Sequence, residues 1–376
     1  MYVKGSGDDV KREEAPRPEN ATIVTYPDEF AQVEIRELAK AAGYTVKTLV
    51  TQRRLLRSEY GVGVGKAGEL AEMVKQNGSR TIIIDEKLTS SQANNLSKIA
   101  HAEVVDRERL ILNIFAKRAM TTEAKLQVQL AELLYELPRA RDIVRYSVNG
   151  ERAGFSGMGE TAVDVKFRAL RKQMATIKQK LAQAESNRKI HRVERRKLNM
   201  PFVALAGYTS SGKTTLFNKL TSESKEESPS LFTTLTTTTR GATFEPGRKV
   251  LLSDTVGFIS RLPTYMVESF KSTLEELGYA DLVLLLIDVS ESAESIRIKL
   301  RSCLDILGQL KVDEKKVLLV FNKIDLLKEE GQESIEQISR FLPNFSSVRI
   351  SASRGDGLDL LRSRILEQTY PPSLKN

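Results

Sequence analysis

The run Gly207-Tyr208-Thr209-Ser210-Ser211-Gly212-Lys213-Thr214 fits the pattern G-x-x-x-x-G-K-[ST]. It stands between an apolar stretch at 202–206 and a helical one at 215–220 that opens with Thr215. In that strand–turn–helix setting the pattern has a mechanism. The glycines let backbone amides wrap a chain of phosphates, Lys213 reaches the β- and γ-phosphates, and the Thr214 hydroxyl binds magnesium. The helix N-terminus adds a favourable dipole. Further motifs follow in order. Asp254-Thr255-Val256-Gly257 ends an apolar stretch at 250–253, so Asp254 can hold the magnesium through a water and the Gly257 amide can sense a γ-phosphate. Asn322-Lys323-Ile324-Asp325 ends another at 317–321. A carboxylate there accepts both N1–H and the exocyclic amine of guanine, a pair that adenine cannot reciprocate. Asp325 is thus the guanine selector, with Asn322 bracing the loop and Lys323 covering the base. Ser351-Ala352-Ser353 then offers a backbone contact to the guanine O6. Each later motif is weak alone; in this order, on these strand ends, they identify a protein that binds and hydrolyses GTP.

These residues need a parallel sheet beneath them, and the pattern supplies one twice. Strand-like runs at 22–26, 45–49, 81–85 and 103–105 alternate with helical ones at 28–42, 66–76 and 91–99. That alternation implies a small parallel sheet with helical crossovers. A second, larger α/β region follows residue 199, its strands at 202–206, 250–253, 282–288, 317–321 and 348–350. Between the two regions the strands vanish. Leu126, Leu130, Leu133 and Leu137 make one apolar stripe, and Val163, Phe167, Leu170, Met174, Ile177 and Leu181 make a heptad seam. Pro138 should end or kink the first helix, and the glycine-rich stretch 149–159 reads as a turn. The fold expected is α/β. A small N-terminal parallel-sheet subdomain (21–106) leads to a long antiparallel helical hairpin (107–198) and a Ras-like P-loop GTPase domain (199–370), with tails at 1–20 and 371–376.

The 376 residues are 40% apolar and 28% charged, an ordinary globular composition. Net charge is +9, yet the stretch 166–197 alone holds twelve basic and two acidic residues, or +10, leaving −1 for all the rest. One segment carries the basic character, the footprint of a polyanion-binding surface. Its candidate RNA-binding residues are Lys166, Arg168, Arg171, Lys172, Lys178, Lys180, Arg188 and Lys189; a solvated coiled coil is the plainer alternative. Cys303 is alone and there are only two histidines, His101 and His191, which argues against disulfides and structural zinc. Apolar runs fall far below the ~18–20 residues of a membrane helix. A cytoplasmic, monomeric protein with no membrane span is expected.

The chain resembles the HflX GTPases. The likeness runs over about 22–370 and rests on Gly207-Tyr208-Thr209, on Asp254-Thr255-Val256-Gly257-Phe258-Ile259 with Leu262-Pro263 behind it, on Lys125-Leu126-Gln127-Val128-Gln129-Leu130-Ala131, and on Gly157-Met158-Gly159-Glu160-Thr161. The resemblance implies magnesium as cofactor, and the large ribosomal subunit as a partner reached through the basic hairpin in rescue or splitting of stalled ribosomes. By alignment with the family's switch region, Phe232-Thr233-Thr234 contacts the nucleotide, and Thr234 is the ligand of magnesium and γ-phosphate and a catalytic residue beside Lys213, with Thr233 and the threonines that follow as competitors for that role. Three stretches depart from the family. Thr236-Thr237 replaces an Asp-Pro pair, Ser156 and Met158 replace the arginine and proline of the 156–160 turn, and Ser210 replaces an asparagine linked to potassium. The chain also stops soon after Pro372, before the C-terminal domain that some members carry.

Ras-like enzymes orient the attacking water with a glutamine just after the Asp-x-x-Gly glycine. Phe258 stands there and can hold no water, so slow intrinsic hydrolysis, stimulated by the ribosome, is expected. Arg240 and Arg261 flank the switches, as surface arginines or as stabilisers of transition-state charge. Asp288 reads as structural, a cap for the next helix. Gly61-Val62-Gly63-Val64-Gly65-Lys66 imitates a phosphate loop, but Ala67 stands where a hydroxyl is needed; a glycine-rich turn into a helix is the plainer reading. Two other functions stay open: an ATP/GTP-dependent RNA-remodelling factor with a second nucleotide site in the N-terminal half, and a GTP-controlled adaptor without catalysis.

Overall fold

Alternating β-branched and amphipathic runs fold as their periods require. The computed structural model describes residues 19–55, 58–150, 156–197, 200–221, 232 and 237–370, with side chains among them except at 141–150, 156–164, 187–197, 272 and 330. In the N-terminal unit, strands β1 (Glu19–Thr25), β2 (Tyr44–Thr51), β3 (Thr81–Ile84) and β4 (Glu103–Asp106) form a fully parallel sheet in the order β2-β1-β3-β4. The crossovers are α1 (Glu29–Ala41), α2 (Val64–Asn77) and α3 (Ser90–Ala100). Asp28 caps α1 by accepting from Ala31 N at 2.8 Å, and Thr89 with Gln92 forms a reciprocal box at the start of α3. Helix α4 (Arg107–Arg118) leaves β4 directly, capped by Asp106.

Two long helices follow, α5 (Thr122–Gly150) and α6 (Ser156–Lys197). They pack through Leu126, Leu130, Leu133 and Leu134 against Met174, Ile177 and Leu181, which is part of the two stripes expected with Leu134 added to the first. Two expectations are corrected. Of the two outcomes expected at Pro138, an end or a kink, the end does not occur: helix α5 continues twelve residues beyond it. Contacts on either side hold it: Tyr135 Oη donates to Asp106 at 3.1 Å, and Arg139 pairs with Asp106 at 2.6 Å and donates to Leu88 O at 2.7 Å. These outweigh the one lost backbone bond. Likewise Gly157 and Gly159 belong to the first turns of α6 rather than to a loop, where the missing intrahelical partners make glycine tolerable. Gly154 lies outside the described residues.

The third unit is a six-stranded sheet in the order β10-β9-β8-β5-β7-β6. Its elements run β5 (Phe202–Gly207), α7 (Lys213–Thr221), β6 (Thr238–Glu245), β7 (Arg248–Asp254), α8 (Thr264–Ser269), α9 (Lys271–Tyr279), β8 (Leu282–Asp288), α10 (Ala293–Gln309), β9 (Val317–Asn322), α11 (Glu329–Phe341), β10 (Ser346–Arg349) and α12 (Leu358–Thr369). All pairings are parallel except β6 with β7. Strands β5, β8 and β9 are buried at every residue, as a central parallel sheet covered on both faces demands. Strand β6 was not foreseen, being a threonine-rich edge beside the switch region. One hydrophobic core joins the first and third units: Phe232, Phe258 and Ile259 lie in it with Ile35, Leu38 and Phe115.

Candidate nucleotide site

Four strands bring the motifs to one edge: β5, β7, β8 and β9 end at Gly207, Asp254, Asp288 and Asn322. Ligands of open parallel sheets bind at that carboxyl edge. Gly207–Thr214 curls from β5 into α7, and Lys213 Nζ folds back to donate to Gly207 O at 3.1 Å and Tyr208 O at 2.7 Å. Burial lowers the Lys213 ammonium to about 8, against the opposing pull of Asp254; a bound polyphosphate would supply the anion it lacks. Gly212 has φ +94°, and a Cβ on it would run into the Asn322 amide, so any side chain there is strained. That asparagine ties three segments together, donating to Ser211 O at 2.8 Å and accepting from Ala352 N at 3.0 Å.

The Thr214 hydroxyl lies 3.2 Å from Asp254 Oδ2, a hydroxyl and a carboxylate oxygen side by side. This is the donor set a hard divalent cation takes. Gly257 is packed so closely on the loop that a Cβ would come within 3.1 Å of Lys213 Nζ and 2.8 Å of Thr209 Cγ2. Thr255 donates its hydroxyl to Leu205 O at 2.6 Å, and Val256 is buried, so from this motif only Asp254 presents a side chain to the site. Phe258 is 1% exposed, its N–H donating to Gly207 O at 3.1 Å and its carbonyl accepting from Thr209 N at 2.8 Å. It is a core residue and cannot orient water.

At the far end of the site, Asp325 Oδ1 is buried without a hydrogen-bond partner among the described residues. The Ser351 hydroxyl, and less strongly Arg354 at 3.8 Å, hold its carboxyl below the usual range. An ionised carboxylate with an open lone pair is what a guanine edge requires. Lys323, at φ +67°, is held by Asp288 at 2.5 Å. Asp288 therefore caps no helix: α10 is capped by Ser292, while Asp288 accepts from Ser290 N and Oγ and grips Lys323. Ser351 and Ser353 hydroxyls meet at 3.1 Å beside the buried Ala352. Ser210 is exposed at φ +63°, Ser211 is buried, and Thr215 lies in the first turn of α7.

Phe232 is 2% exposed and packed on Phe115; Thr233 and Thr234 lie outside the described residues. On α6, Lys166, Arg168, Arg171, Lys172, Lys178 and Lys180 are exposed while Met174, Ile177 and Leu181 pack against α5. Arg188 and Lys189 continue that helix, their side chains outside the described set. The glycine run before Lys66 follows a loop rather than a strand, and Lys66 pairs with Glu69 at 2.5 Å; it is the turn into α2.

Sequence reading missed a buried ionic cluster against the loop after Asp254. Glu34, Asp85 and Arg107 of the N-terminal unit surround Ser260, with Arg107 at 2.6 Å from Glu34 and 2.7 Å from Asp85. Arg261 points into it as well, 2.9 Å from Asp85 and 5.4 Å over the Tyr26 ring. It is an exposed surface arginine, the plainer of its two readings, whose guanidinium is tied to Asp85. Only the charge of Glu34, one turn inside an amphipathic helix and on its apolar side, could have signalled this.

Comparison with known proteins agrees with this geometry. Family descriptions match in series: "GTP-binding GTPase N-terminal" over 30–116, "GTP-binding GTPase Middle Region" over 118–195 and "50S ribosome-binding GTPase" over 202–323. The chain is 42% identical to GTPase HflX of Methanocaldococcus jannaschii over 335 residues, covering 89% of this chain and 82% of that one. It is equally 42% identical to GTPase HflX of Thermococcus kodakarensis, covering 87% and 75%. Among solved structures, the SsGBP–GDP complex superposes with TM-score 0.55 at 26% identity, covering 95% of this chain and all of the other.

Proposed function

The chain belongs to the HflX family of GTPases, and from that premise we propose that it is a GTP-driven switch acting on the large ribosomal subunit. It binds and hydrolyses GTP. In this reading the 207–212 amides and Lys213 hold the phosphates, with Lys213 countering charge in the transition state, Gly257 reads the γ-phosphate, and Asp325 selects guanine. Thr214 and Asp254 hold magnesium, with Thr234 as a third ligand by family resemblance; bound there, the ion neutralises charge on the phosphates.

The observation that carries the ribosomal half is the outer face of α6. Six exposed cations stand on it while Met174, Ile177 and Leu181 pack against α5. A helical arm of this kind suits the phosphate backbone of folded RNA. The family description matched by residues 202–323 supports the same partner. Phe258, locked in the core, supports slow turnover by the protein alone, with the missing group supplied on the ribosome.

Sedimentation with large ribosomal subunits tests this. Co-sedimentation should be favoured by a non-hydrolysable GTP analogue over GDP, and should weaken when Lys178, Lys180, Arg188 and Lys189 are neutralised. Failure to sediment with either nucleotide would leave a guanine-nucleotide switch with some other partner.

A further inference from the structure

The loop 254–261 is anchored from two sides. Toward the phosphate loop, Phe258 N–H donates to Gly207 O and its carbonyl accepts from Thr209 N–H. Toward the N-terminal unit, Ser260 N–H donates to Glu34 Oε1 at 3.0 Å and Ser260 Oγ donates to Glu34 Oε2 at 2.6 Å. Arg107 donates to Ser260 O at 2.9 Å. Tyr208 joins the two sides, its hydroxyl accepting from Ser260 N at 2.6 Å and donating to Glu34. Glu34, Asp85 and Arg107 are 6%, 0% and 3% exposed. Ionised groups that deep are costly unless paired. Arg107 pairs through both terminal nitrogens, though its Nε has no partner among the described residues. The cluster grips Ser260 through its N–H, hydroxyl and carbonyl.

Gly257 lies three residues before Ser260. With Asp254 fixed at the end of β7 and Ser260 fixed on Glu34, the short span between them has little freedom, and it is this span that seats Gly257 on Lys213. We infer that Glu34, in the N-terminal unit, is a positioning residue for GTP recognition and hydrolysis, setting the place of Gly257 through Ser260 and Tyr208. The N-terminal unit is then part of the nucleotide switch: a change in the γ-phosphate contact at Gly257 moves Ser260 against Glu34, and tilting the N-terminal unit does the reverse. This rests on the reading of Lys213 and Gly257 as the γ-phosphate site.

The test uses the full-length protein with Glu34→Gln and Ser260→Ala. A glutamine amide would turn a donor toward Arg107; the alanine removes only one hydroxyl and serves where the first variant does not fold. Affinities for GDP and for a non-hydrolysable GTP analogue are measured, together with kcat and KM for GTP. The expected result is unchanged GDP affinity within about twofold, with the preference for the GTP analogue and kcat each reduced about tenfold or more, the scale of a small displacement at a reacting centre. Folded variants with wild-type kcat and wild-type preference would overturn the inference and leave the cluster a purely structural joint. Lys213→Ala separates the two readings. If it keeps full affinity for the GTP analogue, the site reading itself fails and takes this inference with it; if it loses that affinity while Glu34→Gln behaves as wild type, only the inference fails.

Discussion

The rings of Phe232 and Phe115 meet edge to face, centroids 4.8 Å apart and planes at 87°. The first belongs to the segment between α7 and β6, the second to α4 of the N-terminal unit, and Phe270 touches Phe115 at the same distance. Phe115 thus lies at the centre of the core shared by two units. Phe115→Ala removes a fully buried ring with two aromatic partners and should cost about 3–5 kcal/mol. Urea denaturation of the full-length protein would show it as a lowered midpoint. A loss below ~1 kcal/mol would mean that the two units do not share this core in solution.

Asp288 holds Lys323 at 2.5 Å and is itself mostly buried. Removing its charge releases the lysine while leaving Asp325 in place. Asp288→Asn should weaken GDP binding about threefold to tenfold, the range for one hydrogen bond of ~1 kcal/mol, with no change in the ranking of guanine over adenine. Titration with both nucleotides reads affinity and ranking together; a lost ranking would show that Asp288 acts on the selector rather than on the lysine.

Asp325 should behave oppositely. Its open Oδ1 and ionised state suit two donors on the guanine edge, and Asp325→Asn turns one acceptor into a donor. GDP affinity is expected to fall roughly 10- to 100-fold, as for one charged hydrogen bond of ~1.5–3 kcal/mol, and the guanine preference to collapse. Retained discrimination against ADP would move the selector elsewhere in the loop 351–353.

Why some of this was readable from sequence and some was not follows from distance along the chain. Gly207–Thr214 and 322–325 act within one turn or strand end, so residue type and spacing suffice, and both arrive at the same sheet edge. Glu34, Arg107 and Ser260 sit far apart, and as isolated letters they are ordinary solvated residues; only the packing of α1 on the third unit makes them a cluster. Arg261 is at the surface as expected, but its tie to Asp85 is hidden for the same reason. Pro138 and Gly157 misled in the reverse sense, since their local preference is real but tertiary contacts and helix-end geometry override it. The basic stretch was visible because composition survives without geometry, and α6 adds that the six cations between 166 and 180 are exposed.

The cluster should also make stability depend on pH. Burial, the largest influence on Glu34, raises its carboxyl, but Arg107 and the hydroxyls of Ser260 and Tyr208 together outweigh it and leave it below the ordinary 4.5. The groups around it are Asp85, Arg107, Tyr208 and Arg261. A carboxyl depressed on folding contributes stability that is complete above its unfolded value and is lost as pH falls through the folded one. Wild-type stability should therefore hold steady down to about pH 4.5 as far as this group is concerned, then fall in more acid solution. Glu34→Gln should be less stable at neutral pH by about 3–5 kcal/mol, because Arg107 keeps its charge with one partner fewer. The gap between the two proteins should narrow as the solution is acidified below the ordinary carboxylate value. Urea midpoints of both proteins, taken from pH 7 downward, measure that gap; curves that stay parallel throughout would show that Glu34 is not ionised in the folded protein, and with that the pairing to Arg107 would lose its electrostatic basis.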